Sequence, residues 1–258
     1  MSRLLYGILF AGSDIGREIS RRTLPPGVGG ARVGVIEHGG LGAAVSVIDP
    51  TELSPTVASV LAFARVVQAL HAACTTVPMR FGCLLPTEAA VVDLLGTRCE
   101  HYAEVLRGID GCVEMGVRVL VDSPEPAATS ESDHQAAALR AERRVSWSGS
   151  DYLARRKKLY AAQDQRAEAA AEVLERIRSA FGELCLRCKT ECSPGLASPS
   201  LFRTPLAALY FLLRRESLDA FRSEFRQIER AERARLLLSG PWPPFNFVEP
   251  EREVARHG

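Results

Sequence analysis

The 258-residue chain has no apolar run approaching the ~20 residues needed to span a bilayer. Its first apolar stretch, Leu4 to Ala11, is followed at once by Asp14 and Glu18. Neither a membrane span nor an export signal is expected from such a pattern. Charge of one sign is lacking too: 32 basic against 31 acidic residues leave a net charge of +1. That balance removes the electrostatic reason to expect nucleic acid or an anionic membrane as a partner. The local basic runs, Arg155-Arg156-Lys157-Lys158 and Arg214-Arg215, are each followed by acidic or apolar residues. Histidine is sparse, and His38, His71, His101, His134 and His257 stand isolated in the sequence. No Gly-x-Ser-x-Gly elbow, flanked cysteine nucleophile or phosphate-cradling Gly-Lys-Ser/Thr loop is present. The glycines at 27, 29 and 30 and at 39, 40 and 42 lack the strand-to-helix setting of a dinucleotide site. Seven cysteines, an odd number scattered through a chain without an export signal, read as thiols of a reduced, cytoplasmic protein.

What is present is ordinary globular material, 47% hydrophobic and 24% charged, in a chain long enough for a sizeable core and one or two domains. Leu4 to Phe10 reads as a strand and Leu24 to Gly30 as a Gly/Pro loop. Arg32 to Glu37 and Gly42 to Ile48 read as a hairpin closed by Gly39-Gly40. Ser54-Pro55 has the form of a helix start, and Val57, Val60, Leu61, Ala64, Val67 and Leu70 recur at helical spacing as an expected buried stripe. Val77 to Phe81 is a short extended piece, and Pro86-Thr87-Glu88 opens a second helix to about Leu106.

From Cys112 the alternation of Val113, Met115, Val117, Val119 and Val121 marks a strand. Asp122 to Asp133 reads as an exposed, mobile loop, and Ser150-Asp151 caps a long helix towards Ala180. Leu184 to Thr190 and Ala207 to Arg214 follow as strands, Glu216 to Glu232 as a helix and Arg233 to Leu238 as the last strand. Strand, helix, strand, strand, helix, strand is the order of a ferredoxin-like split βαβ unit. The expected fold class is α+β. An N-terminal α+β domain takes residues 1–110, and a ferredoxin-like domain with an extended Pro/aromatic tail takes residues 111–258.

Three features are weighed as sites. Cys185, Cys188 and Cys192 place three thiols within eight residues, enough to suggest zinc or an iron–sulfur cluster. No second cysteine pair follows, and a strand points Cys185 and Cys188 to opposite faces, so free, partly buried thiols are the expected state and no cofactor is assigned. Arg80, between Met79 and Phe81, needs a partner if buried: either a salt bridge pinning two helices or a partner protein. Gly240-Pro-Trp-Pro-Pro-Phe-Asn-Phe-Val248 is a proline-stiffened tail carrying Trp242, Phe245 and Phe247. Three prolines exclude a helix or central strand there. The tail is expected to pack internally, because three exposed aromatics would make a sizeable apolar patch.

Five strings in order then resemble the gas vesicle accessory proteins of the F/L family over nearly the whole chain. They are Leu5-Tyr6-Gly7-Ile8, Val77 to Gly82, Glu114-Met-Gly-Val-Arg-Val119, Tyr152-Leu-x-x-x-Lys157-Lys158, and Gly240 to Val248. The resemblance implies a non-enzymatic minor component or assembly factor of gas vesicles, cytoplasmic and vesicle-associated. Its implied partners are the hydrophobic major shell protein and other gas vesicle accessory proteins. It singles out Met79, Arg80, Phe81, Tyr152, Lys157, Lys158, Trp242, Phe245 and Phe247 as motif or partner-binding residues, and it gives the cysteine cluster no role. A metal-binding regulator or enzyme on a ferredoxin-like domain is the alternative.

Overall fold

The computed structural model describes residues 1–12, 24–120, 171–192, 207–232 and 234–248; the side chains of Glu52 and Cys192 are also outside the description. The loop expected at 122–133, the helix start at 150–151 and the motif residues Tyr152, Lys157 and Lys158 lie outside the described residues.

The first sheet is built from β1 (Ser2–Phe10), β2 (Val33–His38), β3 (Leu41–Ile48), β4 (Thr76–Pro78) and β5 (Leu84–Leu85). It runs β2-β3-β1-β4, with β5 also on β1, and every pairing is antiparallel. Gly39 (φ 60°) and Gly40 (φ 81°) form the two-residue turn between β2 and β3, a geometry that matches the strand twist and favours glycine. The β1–β3 register shifts between Leu5 and Gly7. Such a bulge reverses side-chain parity. Leu4, Tyr6 and Leu9 therefore face one core, and Leu5 and Ile8 the other.

Helix α1 (Val57–Ala73) covers the first of these faces. Its cap is Thr56, whose hydroxyl accepts from the Ser59 N–H at 3.2 Å, so the start falls after the expected Ser54-Pro55. The buried stripe is also corrected. Phe63, Val66, Val67 and Leu70 are buried, whereas Val57 is 77% exposed, Val60 41% and Leu61 50%. The helix is apolar nearly all round, so spacing alone does not select the face. On the opposite face of the sheet lie α2 (Glu88–Thr97) and α3 (Cys99–Gly108). The single helix expected to about Leu106 is two, because Arg98 (φ −116°, ψ 21°) leaves helical geometry between them.

Gly111 (φ 64°) turns the chain into β6 (Cys112–Leu120). The second sheet contains β6, β7 (Arg187–Cys192), β8 (Ala207–Arg214) and β9 (Arg235–Trp242) in the order β7-β8-β6-β9, again antiparallel. β7 starts three residues later than the expected Leu184. Helix α4, described over residues 171–180, and α5 (Leu218–Ala231) cover one face. Val113, Met115, Val117 and Val119 point into this core, as their alternation indicates. Phe181, Phe211 and Phe221 meet at its centre, with Phe181 stacked on Phe221 at 4.1 Å. On the other face, Cys112 and Leu212 join Leu5, Ile8, Tyr102 and Leu106 in one apolar cluster. The two sheets thus share a seam.

Mixed helix and antiparallel sheet make this an α+β protein. The last strand is longer than expected, running through Pro241 to Trp242. Proline fits because β9 is an edge strand whose outward N–H groups need no ladder partner.

Candidate functional site

The C-terminal tail is drawn into the seam. Gly240 (φ 110°) redirects β9, and Pro243 and Pro244 are buried. The extended rod expected beyond them gives way to a single 3₁₀ turn, Phe245–Phe247. Phe247 enters the cluster shared by both sheets, while Phe245 packs against the α1-side core. The Arg187 guanidinium and Lys189 ammonium stand 5.6 and 5.8 Å from the centre of the Phe247 ring, within cation–π range.

The turn is fixed by a buried carboxylate. Glu114, 3% exposed, accepts from the Asn246 backbone N–H at 2.8 Å and from its side-chain amide at 2.6 Å. Burial raises the Glu114 pKa, while the two Asn246 hydrogen bonds and the Lys189 charge pull it back. The folded-state pKa lies above the ordinary carboxylate value. Its contribution to stability is therefore present below that value and is lost as pH rises through the folded pKa.

Met79 and Phe81 converge on the same place as the tail. Both pack against the α1-side core that also takes Phe245, and Met79 also reaches the core that holds Phe247. Phe81 meets Phe63 edge-on at 5.6 Å, and Phe63 stacks on Tyr6 at 4.9 Å. Arg80 between them is exposed rather than buried, so the need for a buried counter-charge does not arise. Trp242 is 41% exposed and lies opposite Glu114 in the β6–β9 ladder. With most of its ring covered, Trp242→Ala is expected to cost about 1–2 kcal/mol. The melting temperature, followed by circular dichroism, should fall by a few degrees. An unchanged melting temperature with weakened partner binding would make the tail a docking segment instead.

A second joint in the seam is His71, in the last turn of α1. Its Nε2 lies 3.4 Å from an Arg215 Nη2, so it accepts there and the proton sits on Nδ1. Nδ1 is buried with no hydrogen-bond partner among the described residues. Burial, with the Arg215 charge added, lowers the His71 pKa to about 4. A depressed histidine favours the fold above its unfolded value and is lost as pH falls from about 6.5 through 4. Allowing for partial exposure, the loss is about 2 kcal/mol. Urea titrations at pH 7 and pH 4 should show this difference between the native chain and His71→Leu.

Cys185 and Cys188 do not point to opposite faces. Cys185 precedes β7, and both pack against the second-sheet core. Burial raises both thiol pKa values, that of Cys188 to about 11, which makes them poor thiolate ligands or nucleophiles. Cys192 closes β7. Among the described residues no three His, Cys, Asp or Glu side chains stand close enough to hold a metal.

Among the described residues two surfaces of the first-sheet half remain open. Val57, Val60 and Leu61 form an exposed apolar ridge on α1. Beside it the Gly/Pro loop frames a groove of about 490 Å³ lined by Pro25, Pro26, Val28, Ala62 and Arg65 among others. The loop is pinned from below: the Val28 N–H donates to the Tyr6 hydroxyl at 3.0 Å, and that hydroxyl bonds Ser46. The second surface is the outer edge of β2, with α2 beside it.

Two antiparallel sheets joined by an apolar seam define an α+β protein, and no helix among the described residues is long and apolar enough to cross a membrane. The chain belongs to the family described as "Gas vesicle synthesis protein GvpL/GvpF", whose sequence model matches residues 2–249. It is 30% identical over 266 aligned residues to gas vesicle protein F of Streptomyces sp. (strain CB03234), covering 96% of this chain and 100% of that protein. It is 29% identical to gas vesicle protein L of the same strain, covering 71% of this chain and 66% of that one. The fold is similar to the crystal structure of GvpF from Anabaena sp. PCC7120, with a TM-score of 0.70, 18% identity and 96% of each chain covered. The GvpF structure from Microcystis aeruginosa gives 0.67 at 15% identity, covering 96% of this chain and 99% of that one.

Proposed function

We propose that this chain is a non-enzymatic minor component or assembly factor of gas vesicles. It binds the hydrophobic major shell protein and helps nucleate or build the vesicle wall, acting in the cytoplasm and at the vesicle. Family membership over residues 2–249 supports the setting. The observation that carries the binding role is the apolar ridge Val57, Val60 and Leu61, since an exposed apolar helix face beside a groove is the form of surface that takes an apolar partner. Residues 1–110 act as the shell-binding domain. Residues 111–258 form a ferredoxin-like domain; the strand order β7-β8-β6-β9, with both helices on one face, supports that reading. The motif residues Met79, Phe81, Phe245 and Phe247 serve by holding the two halves together, with Arg80 and Trp242 at the surface.

The test is capture of the purified full chain by the shell protein encoded in the same gene cluster, with metal analysis of the same sample. Native protein should be captured without stoichiometric metal. Val60→Glu with Leu61→Glu should weaken capture at least tenfold, while the melting temperature falls by only a few degrees because both side chains are already about half exposed. No capture of the native chain, together with about one zinc per chain, would sink the reading.

A further inference from the structure

Among the described residues nothing fills the outer edge of β2 in the first sheet. β2 is terminal in the strand order, and its register with β3 runs from Val33↔Ser46 to His38↔Leu41. A two-residue turn makes the pair flanking it a hydrogen-bonded one, and such pairs alternate along an antiparallel ladder. His38, Ile36 and Gly34 therefore bond β3, while the N–H and C=O groups of Val33, Val35 and Glu37 point outward. Among the described residues no backbone hydrogen bond from outside the hairpin reaches these three. Along Val33–His38 there is no proline, no lysine and no bulge, and Glu37 is the single carboxylate on the edge.

A groove of about 780 Å³ runs beside this edge. His38 contributes one wall and α2 the other, through Glu88, Ala89, Val92, Asp93, Gly96 and Thr97. On the groove side of the strand, Gly34 leaves open space where a side chain would project. The lining combines small or apolar surface with two carboxylates; Glu88 is already paired with Arg3 at 3.3 Å, and the lining itself holds no lysine or arginine to meet Asp93. An edge strand flanked by a helix is the arrangement in which an extended peptide adds as a further strand, its backbone bonding the edge and its alternate side chains lying on the helix.

We propose that the β2 edge receives an extended segment of the shell protein as an added strand, with a Lys or Arg of that segment placed against Asp93. The proposal rests on the shell-binding reading above and adds to it a second contact of different chemistry. The apolar ridge of α1 recognises hydrophobic surface. The β2 edge recognises extended backbone with positive charge, and so selects which part of an apolar partner is held.

The probe is a set of synthetic 12-residue peptides tiling the shell protein of the same gene cluster, titrated onto the full chain. Amide exchange at Val35 and Glu37 is followed by NMR. At least one peptide containing Lys or Arg should slow exchange at both amides tenfold or more. Val35→Pro removes an outward donor without breaking a ladder bond, and Asp93→Lys reverses the charge of the groove. Each should weaken that peptide at least tenfold with little change in melting temperature. Should Val35→Pro disturb folding, Glu37→Pro, at an exposed position with the same backbone orientation, serves in its place. A peptide that binds without protecting these amides, or equally well to Asp93→Lys, overturns the edge assignment. So does intact shell protein captured as well by the proline and lysine variants as by the native chain, and in that case the shell-binding reading stands. Failure of the native chain to capture intact shell protein overturns both.

Discussion

Asn246→Asp is expected to lower stability by about 3–5 kcal/mol at pH 7, the cost of a buried charge set against an uncompensating neighbour. Both donors to Glu114 come from Asn246. The variant keeps the backbone N–H but replaces the amide with a second carboxylate, facing one that is 3% exposed. For a chain of this size the melting temperature should fall by about 10 °C. Like charges this close raise each other's pKa, so the deficit should shrink as pH falls from 7 towards 5. Glu114→Gln in the Asn246→Asp background should restore most of the loss. The glutamine oxygen then accepts the backbone N–H, and its amide donates to the new carboxylate. A melting temperature that ignores both pH and the second substitution would mean that the tail is not held by this pair.

Phe181→Ala is the second large effect, about 3–5 kcal/mol. Phe181 is fully buried and stacks on Phe221 at 4.1 Å, with Phe211 at 5.0 Å. Removing the ring leaves a void against two others and loosens the chain just beyond α4 from the second sheet. Because the seam contacts lie on the other face, the Phe181→Ala loss should be independent of pH between 5 and 7 and additive with that of Asn246→Asp. Chemical denaturation of the single and double variants measures both points.

Much of the fold was legible because local chemistry was decisive. Gly39-Gly40 admits few alternatives to a tight hairpin, and the Val113 to Val119 alternation is the imprint of one apolar face. The order of elements after Cys112 followed from such signals. The errors fall where local chemistry was indifferent. In α1 almost every position tolerates burial, so the expected stripe took in Val57, Val60 and Leu61, which are exposed, and was right at Val67 and Leu70 but missed Phe63 and Val66. Arg98 carries no glycine or proline to announce the break between α2 and α3. Pro241 reads as the end of a strand unless the strand is known to be an edge.

The site was legible in part. The tail and the Met79-Phe81 string stood out by composition, yet their meeting in the seam is a long-range fact with no local signature. Glu114 was in view as part of a motif, and the signal that it mattered was its place as a lone acid among valines and a methionine in a strand. That β2 is terminal in its sheet follows from strand order, which sequence spacing does not reveal.

The tail's seat in the seam has a consequence for biosynthesis. Leu5, Ile8, Tyr102 and Ile109 are made well before Phe247, which completes their cluster and is translated 138 residues after Ile109. At about 5–20 residues per second, the ribosome leaves that apolar surface uncapped for roughly ten seconds or more. During that interval a nascent chain displays a greasy face that the finished protein hides, so a premature stop before Asn246 should yield a sticky, chaperone-dependent product rather than a slightly shorter native one.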